Sequence, residues 1–90
     1  ALNQNYPNPF NPSTQISFDV PQGGEHIMLN IYNILGQNVS ILVNGVMNPG
    51  TYTMEWNATD EVGNPVASGI YFYELRSSSF IARKKMLLIR

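Results

Sequence analysis

Ninety residues are enough for one domain, in which roughly 60 to 65% of the unfolded chain's surface is buried. Charged residues are only 12% of the chain, about half the usual quarter, so the surface is solvated by amides and hydroxyls, with eleven asparagines among them. The net charge is only −1; the absence of cysteine excludes a disulfide framework and a thiolate metal site, and no apolar run approaches the roughly 20 residues that a membrane-spanning helix needs.

The first stretch, Tyr6-Pro7-Asn8-Pro9-Phe10-Asn11-Pro12, is stiff before it touches anything. Each proline fixes its own φ and denies helical geometry to the residue before it. Such a segment loses little entropy on ordering. It is expected to clamp along a sheet edge over residues 1–13, with Tyr6 and Phe10 as apolar pegs and the asparagine amides meeting backbone groups.

Thr14 to Val20 alternates, with Ile16, Phe18 and Val20 on one face, and His26 to Tyr32 does the same with Ile27, Leu29 and Ile31. The two are expected to pair across Pro21-Gln22-Gly23-Gly24. Asn33 to Gly36 reads as a turn, followed by Val39, Ile41 and Val43 as a third inward set. Asn44-Gly45 is a hairpin signal, with Val46-Met47 as a brief return strand before Asn48-Pro49-Gly50. Thr51 to Trp56 turns Tyr52, Met54 and Trp56 to one side. Asn57 to Pro65 is loop, and Val66-Ala67 is a very short strand. Ile70 to Ser77 places Tyr71, Tyr73 and Leu75 inward and Glu74 and Arg76 outward. The last strand, Phe80 to Ile89, is ambiguous because Met86 to Ile89 is continuously apolar. No window shows a capped 3.6-residue period, so no helix is predicted. The fold expected is an all-β, Ig-like antiparallel sandwich of about seven strands in Greek-key order. Tyr71 stands where a tyrosine corner places its ring, and Tyr73 stands where the usual cysteine would.

Catalytic chemistry finds little material. The one histidine, His26, cannot build a histidine metal cluster, and no phosphate-binding glycine spacing occurs. The loop from Asn57 to Asn64 gathers oxygen ligands that suit calcium or, equally, a set of Asx turns. All six acids precede residue 75 and all five bases follow it. Five bases without an interleaved aromatic platform make a thin footprint for nucleic acid, so a partner reading the basic C-terminal stretch is expected instead. Tyr32 and Phe72 are the aromatic candidates for an exposed face that binds sugar or a neighbouring domain.

The Tyr6 to Pro12 segment followed by Ser13 to Phe18 resembles the opening of the C-terminal sorting domains of the bacterial type IX secretion system (type A, Por secretion family). Further matches are Ile31-Tyr32-Asn33 with Gly36, Gly50-Thr51-Tyr52 leading to Trp56, Gly69 to Tyr73, and Lys84-Lys85-Met86. Around Trp56 to Tyr73 the chain is also similar to the Ig-like module of the flagellar hook-capping protein. The resemblance implies one non-enzymatic domain over residues 1–90 without a cofactor. It implies an upstream cargo domain, carried through the periplasm and across the outer membrane by the type IX translocon and its processing machinery, then displayed on the cell surface or released. Pro7, Asn8, Pro9, Phe10, Asn11 and Pro12 would set the clamp. Gly36, Trp56, Gly69, Tyr71 and Tyr73 would shape turns, core and corner. Lys84, Lys85, Met86, Leu87 and Leu88 would be read by the translocon. The alternative is a non-catalytic carbohydrate-binding or structural accessory module of a secreted enzyme. The opening alanine suggests a piece of a longer exported protein.

Overall fold

The structure, a computed structural model, describes residues 1–90. Six strands carry the fold: β1 (Thr14–Val20), β2 (Glu25–Asn33), β3 (Asn38–Met47), β4 (Gly50–Trp56), β5 (Gly69–Arg76) and β6 (Ile81–Leu88). They form two antiparallel sheets, β1-β4 and β3-β2-β5-β6. No helix is present that could cross a membrane.

The period-2 pattern of each strand puts its apolar residues between the sheets. Ile16, Phe18, Ile27, Leu29, Ile31, Tyr73, Leu75 and Leu88 are completely buried. Trp56 lies centrally, 5.8 Å from the Phe10 ring and 5.3 Å from Tyr71, both tilted or edge-on as aromatic quadrupoles prefer.

Several expectations are corrected. β1 and β2 do not pair; β1 bonds β4, and β2 bonds β3 and β5. Gly23 and Gly24, at φ +95° and +69°, swing the chain from one sheet to the other, so the inner faces of β1 and β2 meet across the core. A Cβ on Gly24 would stand 3.0 Å from the Met47 carbonyl oxygen, so glycine is needed there twice over, for its φ and for its bareness.

Asn44-Gly45 is no hairpin. Both residues lie inside β3, opposite Met28 and Ile27, and Gly45 is not among the glycines with positive φ. The nine-residue β2 offers a continuous ladder through this dipeptide, and that ladder outweighs a turn with only Val46-Met47 to return. Register shifts opposite Leu29/Asn30 and Ile31/Tyr32 break the alternation of β3. Val39 and Val43 pack partly against the core while Ile41 is 39% exposed, and Ser40 is buried instead. Val66-Ala67 forms no strand; only Thr59 and Pro65 bridge. Six strands therefore stand where about seven were expected.

Candidate functional site

The N-terminal segment joins both sheets on one side of the sandwich. Its first half lies on the β1 edge: Asp19 N donates to Ala1 O at 2.9 Å, Asn3 N to Ser17 O at 3.0 Å, and Tyr6 and Gln15 exchange backbone bonds of 3.0 and 2.9 Å. Its second half lies on the β6 edge: Phe10 N donates to Leu87 O and Ile89 N to Phe10 O, each at 3.0 Å. The Asn8 Oδ1 accepts from Leu87 N at 3.0 Å, and Gln4 Nε2 donates to Lys85 O at 2.9 Å. Two edges that would otherwise expose unpaired groups are thus closed by one irregular strand.

Between the halves, the segment is tied to the core. Tyr73 Oη donates to Asn3 O at 2.7 Å and accepts from Asn5 N at 2.8 Å. Where a disulfide would cross an immunoglobulin core, a buried phenol therefore fastens the outer strand. Asn5 Nδ2 donates to Thr14 Oγ1 at 2.9 Å and to Pro7 O at 3.1 Å. The peptide bonds preceding Pro7, Pro9 and Pro12 are cis. Phe10 is the peg expected of it, 2% exposed against Trp56. Tyr6 is not, being 80% exposed; Leu2 and Asn5 take the buried places instead. Asn11 makes no side-chain bond of this kind, and Pro12 leads directly into Ser13 and β1.

The remaining motif residues shape turns and corner. Gly36, at φ +81°, closes the β2–β3 turn, where its N–H donates to Asn33 O at 3.0 Å. Gly69 opens β5. Tyr71 Oη donates to the Ala67 carbonyl at 2.6 Å, the hydrogen bond that defines a tyrosine corner. Trp56 Nε1 donates to Thr59 O at 2.9 Å.

The five residues assigned to recognition divide by strand parity. Met86 and Leu88, 1% and 0% exposed, point into the core, whereas Leu87 is 37% exposed. A partner meeting the folded domain touches Leu87 but neither Met86 nor Leu88 through the core side; those two are packing residues. Lys85 lies opposite Phe72 on the outer face and Lys84 opposite Tyr73. The chain's three ion pairs involve Asp19 and Glu74 and leave both lysines free. Asn8, Ile70, Lys85, Met86 and Leu87 line a shallow hollow of about 210 Å³.

The oxygen-rich loop spends its oxygens internally. Asp60 Oδ1 accepts from Val62 N at 3.1 Å and Asn64 N at 2.9 Å, an Asx turn. Glu61 reaches the other way, to Ser40 Oγ at 3.0 Å and Ile41 N at 2.6 Å. Arg90 completes the loop, donating through Nε to Val66 O at 2.7 Å and through Nη2 to Ala58 O at 2.8 Å. No pattern in the sequence pointed to Arg90, because its partners are 24 and 32 residues away. Nor did any point to Asn30 and Glu74, which alternation placed outward but which are 5% and 4% exposed.

The FlgD Ig-like domain family matches residues 3–79. The chain belongs to that family. No curated protein matches it. Solved structures share its fold, among them two from Porphyromonas gingivalis. One is PorZ, described as an essential bacterial surface component of the type IX secretion system of Porphyromonas gingivalis, at a TM-score of 0.67 and 22% identity over 97% of this chain and 11% of that one. The other is dimeric latent PorU from Porphyromonas gingivalis, at 0.74 and 20% over 96% and 9%. The chain thus spans about a tenth of the length of the structures it matches.

Proposed function

We propose that this FlgD Ig-like domain is a non-catalytic C-terminal sorting module, which directs an attached cargo from the periplasm through the type IX outer-membrane translocon to the cell surface. The observation that carries the reading is the bonding of the Pro/Asn segment to β6. The stretch that resembles the start of a sorting domain and the strand that resembles its end hold each other in register through Asn8, Phe10, Leu87 and Ile89. A domain closed in this way folds without its cargo, and it presents the same edge and lysines whatever precedes it. The shared fold with PorZ and PorU agrees with this reading. Counting residues 1–6 as a further strand on β1 would complete the seven strands of an Ig-like Greek key.

The rival reading, a sugar-binding accessory module, has a weaker footing. Tyr32 and Phe72 do lie side by side, but the Arg83 guanidinium covers both rings at 5.7 and 6.0 Å, leaving less face for a pyranose.

The test fuses residues 1–90 behind a periplasmic reporter in a bacterium possessing this system, and surface labelling reads the outcome. The wild-type fusion is expected at the surface, and Lys84→Ala with Lys85→Ala is expected to reduce it. Point changes are the right probe, because deleting residues 85–90 also removes Met86 and Leu88 from the core. A wild-type fusion that stays periplasmic sinks the proposal.

A further inference from the structure

The outward positions of β2, β5 and β6 form one surface whose rows follow from the ladders. Tyr32, Phe72 and Lys85 make one row; Asn30, Glu74 and Arg83 the next; Met28, Arg76 and Ile81 the third. Three of these residues are basic and one is acidic. The outward positions of the other sheet, Gln15, Ser17, Asp19, Thr51, Thr53 and Glu55, include two acids and no base. The sandwich therefore carries charge of opposite sign on its two faces, which the net charge of −1 conceals.

One feature sets the basic face apart from an ordinary solvated surface. It is apolar as well as charged: Ile81 is 58% exposed, Ile41 39%, Leu87 37% and Ile70 36%. Beneath these side chains Asn30 is buried and donates through Nδ2 to Tyr32 Oη at 3.3 Å. Beside it Glu74 is held by Arg76 at 3.3 Å and Arg83 at 3.0 Å. Each arginine keeps further N–H donors for an outside carboxylate, since guanidinium carries five.

We infer that this face, whose exposed groups are Arg76, Arg83 and Lys85 with Ile70, Ile81 and Leu87, docks an acidic protein surface. Arg and Tyr are enriched at the desolvated centre of protein interfaces, which is more apolar than its rim, whereas a sugar platform needs bare aromatic rings, which Arg83 covers here. Carboxylates of the partner meet the three bases, and its apolar centre meets Ile70, Ile81 and Leu87. The inference rests on the sorting reading and deepens it: the partner belongs to the export machinery, and it reads a sheet face of which Lys85 is one corner, not a terminal peptide.

The test uses the reporter fusion with Lys85→Glu plus Ile81→Glu, two exposed side chains with no ion pair or side-chain hydrogen bond, beside the control Glu55→Lys on the opposite face. Purified domains are melted to confirm folding; if the double variant does not unfold cooperatively, Lys85→Glu alone takes its place. The expected result is a loss of about tenfold or more in surface reporter for the basic-face variant, with the control unchanged. Equal export of all three overturns the inference and leaves sorting intact. Loss of export in both variants overturns it too, as an effect of charge anywhere. Retention of the isolated domain on insoluble polysaccharide, abolished by Tyr32→Ala, assigns the face to sugar and overturns it likewise. A wild-type fusion that is not exported removes the sorting reading itself.

Discussion

Tyr73 shows how much one side chain can do in a core without cysteine. Its ring is fully buried, and its hydroxyl serves Asn3 O and Asn5 N together. Phenylalanine at this position keeps the packing and orphans both backbone groups, at about 1–3 kcal/mol each; urea unfolding of Tyr73→Phe measures the loss. Burial pushes the Tyr73 phenol up to about 12, and it raises Tyr71 as well. A raised folded value means that the native state holds the proton more tightly than the unfolded chain, whose tyrosines ionise near about 10. Stability from Tyr73 is thus intact below pH of about 10 and is lost as pH rises from there towards about 12. Melting temperature against pH is expected to fall across that window, and less steeply in Tyr73→Phe. Phe10 is the other residue on which the segment depends. Phe10→Ala opens a cavity against Trp56 and is expected to cost about 3–5 kcal/mol, a large share of the 5–15 kcal/mol typical of a whole domain.

At the scale of elements, β3 was the least legible strand and the N-terminal segment the most. Three prolines restrict the backbone before any tertiary contact forms, so a stiff edge-seeking segment could be read from Tyr6 to Pro12. Which aromatic it buried could not, because Tyr6 and Phe10 have the same chemistry and only the crossing from β1 to β6 aims one of them inward. In β3 the local signal was misleading. Asn44-Gly45 favours a turn, but tertiary pairing with β2 overrides that preference, as it often overrides weak propensities. A Cβ added at Gly45 would meet nothing within 4 Å, and the residue has no positive φ. Gly45→Ala is therefore expected to stabilise by about 0.4–1 kcal/mol through the unfolded chain's entropy. In a type I′ turn the same change would destabilise, and equilibrium unfolding gives the sign.

For the whole molecule, measuring 39 × 22 × 20 Å, the two ends of the chain are parts of one structural unit. Residues 1–10 and 85–90 lie together on one side of the sandwich, where backbone bonds from Phe10 to Leu87 and Ile89 join them. Removing either end should therefore unfold more than itself. Deleting residues 1–12 takes Leu2 and Phe10 from the core and uncovers two sheet edges; deleting 85–90 takes Met86, Leu88 and the Arg90 hold on Ala58 and Val66. Both truncations are expected to lose the cooperative thermal transition and become sensitive to protease. If either melts as sharply as the full chain, the ends are not coupled.

What the chain determined by itself is the part of the structure that depends on local period and backbone restriction: strands without helices, the inward faces of β1, β2, β4 and β5, and the stiff opening segment. Tertiary structure alone decided which strands pair, where Asn44-Gly45 goes, which aromatic the clamp buries, and that Met86 and Leu88 are packing while Leu87 and Lys85 face out. It also gathered Arg76, Arg83 and Lys85 around Asn30 and Glu74. The reason is one of range. Alternation and proline act over two or three residues, whereas pairing, charge clustering and the Arg90 contacts compare groups tens of residues apart, whose energies exist only once the loops between them have closed.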